Sequence, residues 1–161
     1  PPIRKRLPHG VPTWVDPDDL WFVTICCRRP CTTPLTRDEV SRGIRASLSQ
    51  AQVEGRLYVR LCTLMPDHLH LIARWNRSKG MRHEVAQLKR WWARHLGILW
   101  QRDFFDHRLR SRKEFDEKAK YVRMNPVRAG LVERPEDWPH TWLDDGVMRV
   151  DASERRPYHV A

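Results

Sequence analysis

The chain has 161 residues, and its 30 Lys and Arg outnumber its 20 Asp and Glu to give a formal net charge of +10. That length suits one domain with its own hydrophobic core, and a composition that is 40% hydrophobic excludes a disordered chain. No stretch approaches the roughly 20 apolar residues of a membrane span. Because no apolar run follows the basic N-terminus, we expect no secretory signal and a cytoplasmic location.

The excess of positive charge indicates a polyanionic partner such as a nucleic acid. Arg supplies 24 of the 30 basic residues, and its planar guanidinium binds phosphate better than an ammonium does. The four cysteines form no C-x-x-C pair, which argues against a zinc knuckle and predicts reduced thiols.

Short apolar runs bounded by turn residues predict strands, and apolar residues at three- and four-residue spacing predict helices. The predicted elements in chain order are a basic arm at 1–13, a strand at 20–27, a helix at 37–54, strands at 57–65 and 68–75, a helix at 81–99, a strand at 104–109 and a helix that begins at 111.

Local signals set the expected ends of the helices. Thr36 and Ser111 each stand three residues before a Glu, the capping-box pattern that begins a helix. The residue before a proline is pushed out of the α region, so we expect Asn125-Pro126 to end the third helix.

The resulting order, β-α-β-β-α-β-α, begins with the six elements of the ferredoxin-like fold. We therefore predict an α+β protein with an antiparallel four-stranded sheet, helices on one face and an extra C-terminal helix. A single domain is expected at 14–142, with Trp138 and Trp142 packed back on it, followed by a tail at 143–161.

His68 and His70 begin the third strand, one residue apart. Because strand side chains alternate, both imidazoles point to one face, about 7 Å apart, where they can converge on one metal ion. With eight histidines in 161 residues, such a pair also arises by chance. Two ordinary edge-of-sheet histidines are therefore the competing interpretation.

Tyr121 and Asn125 lie one turn apart on a face of the third helix that is turned away from its apolar stripe and towards Lys118. Asn125 can add an oxygen ligand to a metal held by the histidines, and Tyr121 can offer its phenolic oxygen as a nucleophile. A solvent-facing tyrosine and a capping asparagine explain the same spacing, so both interpretations stay open.

Asp106 and His107 are a further candidate, either as an acid–base pair or as groups that orient a neighbour, with a structural hydrogen bond as the alternative. Together with Lys118 they are candidates for a supporting role. No G-x-S-x-G, Walker A or G-x-G-x-x-G motif occurs, which argues against a serine hydrolase and against nucleotide-powered or dinucleotide enzymes.

Two segments, LMPDHLHL at 64–71 and YVRMNPVRAGLV at 121–132, resemble the histidine strand and the tyrosine helix of single-tyrosine HUH transposases. The resemblance is to the REP-associated tyrosine transposases of the IS200/IS605-like family, and it extends from about residue 14 to residue 142. Both motifs stand in the expected order, one on a strand and one on a late helix.

The resemblance implies a nuclease and strand transferase that acts on single-stranded DNA at hairpins. His68, His70 and Asn125 would bind one divalent ion, Mg²⁺ or Mn²⁺, as the cofactor. Tyr121 would attack the scissile phosphate to form a 5′-phosphotyrosine bond and release a 3′-OH. This bond conserves the energy of the phosphodiester, so rejoining needs no ATP.

The resemblance also suggests a use for the basic residues, with single-stranded DNA and DNA hairpins as partners. The expected contacts to DNA are Arg4, Lys5 and Arg6 of the arm, and Arg82, Lys89, Arg90 and Arg94 of the second helix. A solvated surface position is the alternative for each of them. No membrane partner is expected, and both a monomer and a homodimer stay open.

Two other functions fit the same residues. One is a module that binds hairpin DNA with weak or regulatory cleavage, although a pure binder has no need of all four site residues. The other is a metal-dependent hydrolase that uses the two histidines and a water nucleophile.

Overall fold

The computed structural model of the chain describes residues 20–143. The predicted arm at 1–13 and all but the first residue of the predicted tail lie outside the described residues, and the predicted domain boundaries stay a prediction. The elements are β1 (Leu20–Cys26), α1 (Asp38–Val53), β2 (Leu57–Leu64), β3 (His68–Trp75), α2 (Met81–Leu96), β4 (Phe105–Leu109), α3 (Arg112–Arg128), a 3₁₀ turn (Pro135–Asp137) and β5 (Thr141–Leu143). None of the described helices combines the length and apolar character that crossing a membrane requires.

The five strands form one antiparallel sheet in the order β4-β1-β3-β2-β5. The predicted α+β fold is confirmed, with five strands instead of the expected four. β5 pairs with residues 61–63 of β2, and Trp142 packs against the core as the sequence indicated. Three residues are too few to show the alternation that marks a strand, which is why β5 was not predicted.

The main core lies between one face of the sheet and helices α1 and α2. Alternate residues of the central strands point into it, among them the fully buried Ile25, Leu69 and Leu71. The two helices meet at Trp92, whose indole N–H donates to the Ser47 hydroxyl oxygen at 2.7 Å. This face of the sheet therefore forms the main hydrophobic core that stabilises the fold.

α3 covers the opposite face of the sheet over a smaller second core. That core consists of Phe22, Leu61, Ile72, Leu109 and Val122. Helices α1 and α2 thus share one face, as predicted, and the extra C-terminal helix packs on the other. The position of every side chain on α3 therefore depends on this small second core.

The helix starts differ from the expectation at one of the two capping boxes. The capping box expected at Thr36 is wrong, because the cap position falls one residue later, on Arg37, which makes no side-chain cap bond. Ser111 does cap α3, since its hydroxyl accepts from the Glu114 N–H at 3.1 Å. α2 ends earlier than predicted because Gly97 takes the left-handed conformation, with φ 69°.

α3 does not end at Asn125-Pro126 as the sequence suggested. Pro126 lies inside the helix, which continues to Arg128. Proline lacks one N–H donor and its ring crowds the carbonyl four residues earlier, but its fixed φ suits a helix. Here its own carbonyl accepts from the Leu131 N–H at 2.9 Å. The helix is stopped instead by Gly130, with φ 73°. Asn125 is therefore held within the helix.

Trp92 has the largest volume among the fully buried side chains of residues 20–143. We expect Trp92→Ala to reduce the free energy of unfolding by about 3–5 kcal/mol, because it opens a cavity and removes the hydrogen bond to Ser47. Urea denaturation followed by circular dichroism measures the change. Trp91→Ala, at the neighbouring half-buried position, is the control and should lose less. Equal losses would contradict the central place of Trp92 in the core.

Candidate active site

β3 places both predicted histidines on the sheet face that α3 covers. His68 and His70 alternate with Leu69 and Leu71, which are buried in the main core on the other face. The two imidazole centroids lie 4.8 Å apart. β3 is the central strand of the sheet and His70 is only 5% exposed, so the interpretation of an ordinary edge-of-sheet pair is wrong.

Each histidine is oriented by a hydrogen bond at Nδ1. His68 Nδ1 donates to Asp67 Oδ1 at 2.7 Å, and His70 Nδ1 lies 2.9 Å from Thr24 Oγ1. Thr24 stands directly opposite His70 on β1. In this tautomer Nε2 of each ring carries a lone pair and no proton, which is the arrangement typical of metal-binding histidines, and at His70 that lone pair accepts from the amide N–H of Asn125.

α3 brings Asn125 and Tyr121 to the same place. The Asn125 amide nitrogen lies 2.6 Å from His70 Nε2, and the Tyr121 ring centroid lies 6.1 Å from that of His70. Tyr121 is 44% exposed, so its ring is open to a substrate. The spacing that was ambiguous in the sequence thus places both side chains beside a buried histidine, and Asn125 does not act as a helix cap.

Burial keeps His70 neutral at physiological pH. Loss of hydration lowers the pKa of His70 from 6.5 to about 3, and the positive charges of His68, Lys118 and Arg128 act in the same direction. A neutral imidazole is the form that coordinates a metal. His70 therefore needs to lose no proton before it can coordinate a metal ion.

Two cations flank the ring of Tyr121. Lys118 Nζ lies 5.2 Å from the ring centroid and Arg128 Cζ lies 4.3 Å from it. Arg128 also donates to the backbone carbonyl oxygen of Tyr121, which fixes the guanidinium beside the ring. Lys118 was a predicted supporting residue. Arg128 was missed, although its position two helical turns after the tyrosine could have revealed it.

β4 separates Asp106 from His107. Strand alternation directs them to opposite faces, with His107 opposite Phe22 on the α3 face and Asp106 opposite Val23 on the other. The predicted acid–base pair between them is therefore not formed. His107 does share the sheet face of the candidate site, and it is exposed there.

The basic residues predicted on α2 lie across the sheet from Tyr121, since α2 and α3 pack on opposite faces. Three of them, Arg82, Arg90 and Arg94, are exposed there. Any ligand that they contact is therefore bound at a distance from the tyrosine. The arm residues Arg4, Lys5 and Arg6 lie outside the part of the chain that the structure describes.

Lys89, the fourth predicted DNA contact on α2, is engaged within the protein. Its ammonium donates to the carbonyl oxygens of Gln101 at 2.7 Å and Arg102 at 3.0 Å. Burial lowers the pKa of Lys89, opposed by the negative charge of Asp103. Lys89 thus holds the segment that leads into β4.

Comparison with known proteins bears on the family of the chain. No protein-family model matches it. A REP-associated tyrosine transposase of Escherichia coli (strain K12) is 24% identical over 134 residues, which is 80% of this chain and 79% of that protein. The resemblance to REP-associated tyrosine transposases is confirmed. A relative of the same description from Haemophilus influenzae is 29% identical over 100 residues, 52% of this chain and 56% of its own length.

A solved structure described as a REP-associated tyrosine transposase bound to a REP hairpin has the same fold. It superposes with a TM-score of 0.66 at 23% identity, over 76% of this chain and 75% of that one. At this identity the likeness establishes the fold of the domain. The geometry around His70 comes from this chain alone.

We expect acid to destabilise the protein through His70. The unfolded chain takes up the proton near pH 6.5 and the folded chain only near pH 3, so the neutral ring stabilises the fold fully above pH 6.5 and progressively less below it. In EDTA, this group alone should make the free energy of unfolding about 2 kcal/mol lower at pH 5 than at pH 7.5.

Urea titrations of His70→Gln at both pH values are the control, and this variant should lose that share of the pH dependence. A residual slope is expected from His140, whose pKa burial also lowers. An undiminished fall in His70→Gln would show that other groups cause the loss.

Proposed function

We propose that this protein is a transposase-type enzyme that cleaves and rejoins single-stranded DNA at hairpins with Tyr121 as the nucleophile. The observation that carries the proposal is the meeting of Tyr121 and Asn125 on α3 with His68 and His70 on β3. The relatives named REP-associated tyrosine transposases, and a solved structure of the same fold that is bound to a hairpin, support a DNA-processing role. A module that only binds hairpins gives no reason for these four residues to converge.

The donor set fits one divalent metal ion. Nε2 of His68, Nε2 of His70 and the amide oxygen of Asn125 would hold it, once the amide of Asn125 rotates away from the position in which its nitrogen contacts His70 Nε2. Within residues 20–143 no three His, Cys, Asp or Glu side chains converge on one point, so the amide is needed as a third ligand. When bound, the ion polarises the scissile phosphate and stabilises its developing charge. Two nitrogen ligands favour Mn²⁺ over Mg²⁺.

Tyr121 supplies the nucleophile. Its phenolic oxygen attacks the phosphorus as its proton passes to solvent, the bond from phosphorus to the 3′ oxygen breaks, and that oxygen takes up a proton. One phosphodiester is exchanged for another, so a 3′-OH can later attack the 5′-phosphotyrosine and rejoin strands. Lys118 and Arg128, both close to the ring, offset the negative charge of the phosphate in both steps.

We assign the hairpin stem to a separate surface beside α1 and α2, on the other face of the sheet from Tyr121. Arg90, Arg94 and Lys79 line an open groove of about 440 Å³ beside α1 and α2. Cations in a groove of this kind can contact the phosphates of a stem. The arm residues remain expected contacts to the single-stranded flank, and the cytoplasm remains the expected location.

The first test is the formation of a covalent adduct. A 3′-labelled hairpin oligonucleotide with single-stranded flanks, incubated with Mn²⁺, should migrate with the wild-type protein on a denaturing gel. Tyr121→Phe should give no adduct because it lacks the attacking oxygen. Tyr58→Phe, at a tyrosine of β2 outside the site, should behave as wild type, and EDTA should abolish the adduct.

The other outcomes separate the alternatives. Free cleaved DNA from both wild type and Tyr121→Phe would identify water as the nucleophile and contradict the covalent mechanism. Tight binding without cleavage, over several hairpins and with both metals, would favour the binding module.

A second prediction concerns the residue that orients His70. Thr24→Val removes the hydrogen-bond partner of Nδ1 with little change of shape, so the affinity for Mn²⁺ should fall by about 10–100-fold. Isothermal titration calorimetry on the apo-protein measures it. The control is Thr141→Val, because Thr141 hydrogen-bonds Thr63 and not the histidine. Unchanged Mn²⁺ binding in Thr24→Val would contradict a role for Thr24 in the site.

A further inference from the structure

We propose that Phe105 is a stacking platform for an unpaired base that flanks the scissile phosphate. This inference rests on the proposed function, since it assigns a base-binding subsite to the same active site. It gives a role to a residue that was not among the predicted site residues, on the strand that also carries His107.

Phe105 is exposed in a position where an aromatic ring is normally covered. It begins β4 and stands directly opposite Thr24, so its side chain lies on the same face of the sheet as His70. The side chain is nevertheless 58% exposed. Burying an aromatic ring is favourable, so an open face beside a catalytic centre is available for a ligand.

A continuous row of rings joins Phe105 to the site. Phe105 meets Phe22 edge to face, with 6.2 Å between the ring centroids, and Phe22 stacks on His70 at 5.3 Å. Phe22 is itself buried, so it supports Phe105 from below. A planar base can therefore stack on Phe105 while its own phosphate stays close to the histidines.

A positive charge lies close both to Phe22, the ring that supports the platform, and to the nucleophile. Lys118 Nζ is 4.7 Å from the centroid of Phe22 and 5.2 Å from that of Tyr121. An aromatic face next to an ammonium matches the two parts of a nucleotide, the base and the phosphate. This alternation of ring, cation and nucleophile favours a single DNA strand over a protein partner as the occupant.

Exposure alone does not single out Phe105, because isolated apolar side chains on a surface are common. Among the large hydrophobic side chains exposed within residues 20–143, two are aromatic, Phe105 and Tyr121. Both lie on the α3 face of the sheet. The more exposed Val53, at the end of α1, belongs to a helix on the opposite face and has no ring to stack.

The test measures binding without cleavage. Tyr121→Phe protein is titrated into a fluorescein-labelled hairpin with single-stranded flanks, in a series where one flank base at a time is replaced by an abasic site. Adding Phe105→Ala should weaken binding of the intact oligonucleotide by about 5–150-fold in fluorescence anisotropy, the loss of one stacked base. Phe105→Trp should restore binding, and Val53→Ala should leave it unchanged.

The decisive result is a lack of additivity. At one abasic position the oligonucleotide should already bind as weakly as Phe105→Ala binds the intact one, and combining the two changes should cost nothing more. Binding within twofold of the parent in Phe105→Ala, or fully additive losses at every position, would overturn the platform. So would losses that Phe105→Trp does not restore, which would mark a structural role.

The readout separates this inference from the proposed function. Failure of wild-type protein to form an adduct would contradict the tyrosine mechanism, but it would not affect a stacking position measured by binding. Normal adduct formation together with unaltered binding in Phe105→Ala would contradict only the role of Phe105 as a stacking platform. Absence of any binding to hairpin or single-stranded DNA would overturn both.

Discussion

The contact between Asn125 and His70 Nε2, at 2.6 Å, joins the helix that carries Tyr121 to the strand that carries the histidines. The two residues are 55 positions apart in the chain. α3 is held over the sheet by few apolar side chains: it contributes the buried Val122 to the second core, with the partly buried Phe115 and Ala119 packed against that core. Any shift of α3 on that small core would move Tyr121 away from the histidines, so the site depends on the packing of one helix face.

The candidate site combines a buried histidine with an exposed tyrosine. His70 is almost fully buried and stays neutral for that reason. Tyr121 is nearly half exposed, although its ring centroid lies only 6.1 Å from that of His70. Both conditions follow from where α3 crosses the sheet. The helix covers the middle of β3, and it leaves the half-buried Lys118 and the exposed Arg128 beside the ring of Tyr121.

The sequence was informative where a residue's role depends on local periodicity. Strand alternation placed His68 and His70 on one face, and helical spacing placed Tyr121 beside Asn125, so the four main residues of the site could be predicted. Thr24 could not be found in this way, because its role depends on the register between β1 and β3, which local sequence does not encode.

Local rules also failed where the tertiary structure overrides them. The proline rule ended α3 at Asn125, yet the packed helix tolerates one missing N–H bond and continues past it. β5 is too short for any pattern, and it exists because Trp142 is packed against the core and its backbone pairs with an edge of β2. Asp106 and His107 are adjacent in the chain, but a strand turns adjacent side chains to opposite faces.

The division of the sheet into two faces constrains the path of any bound DNA. The exposed arginines of α2 and Tyr121 lie on opposite faces, so a single strand that reaches both has to pass around an edge of the sheet. β4 is the edge strand beside α2, because Lys89 of α2 binds the backbone that leads into it. Phe105 stands at the start of β4 with its ring turned to the α3 face. A strand that leaves a stem bound at α2 and rounds this edge therefore meets Phe105 before it reaches Lys118 and Tyr121.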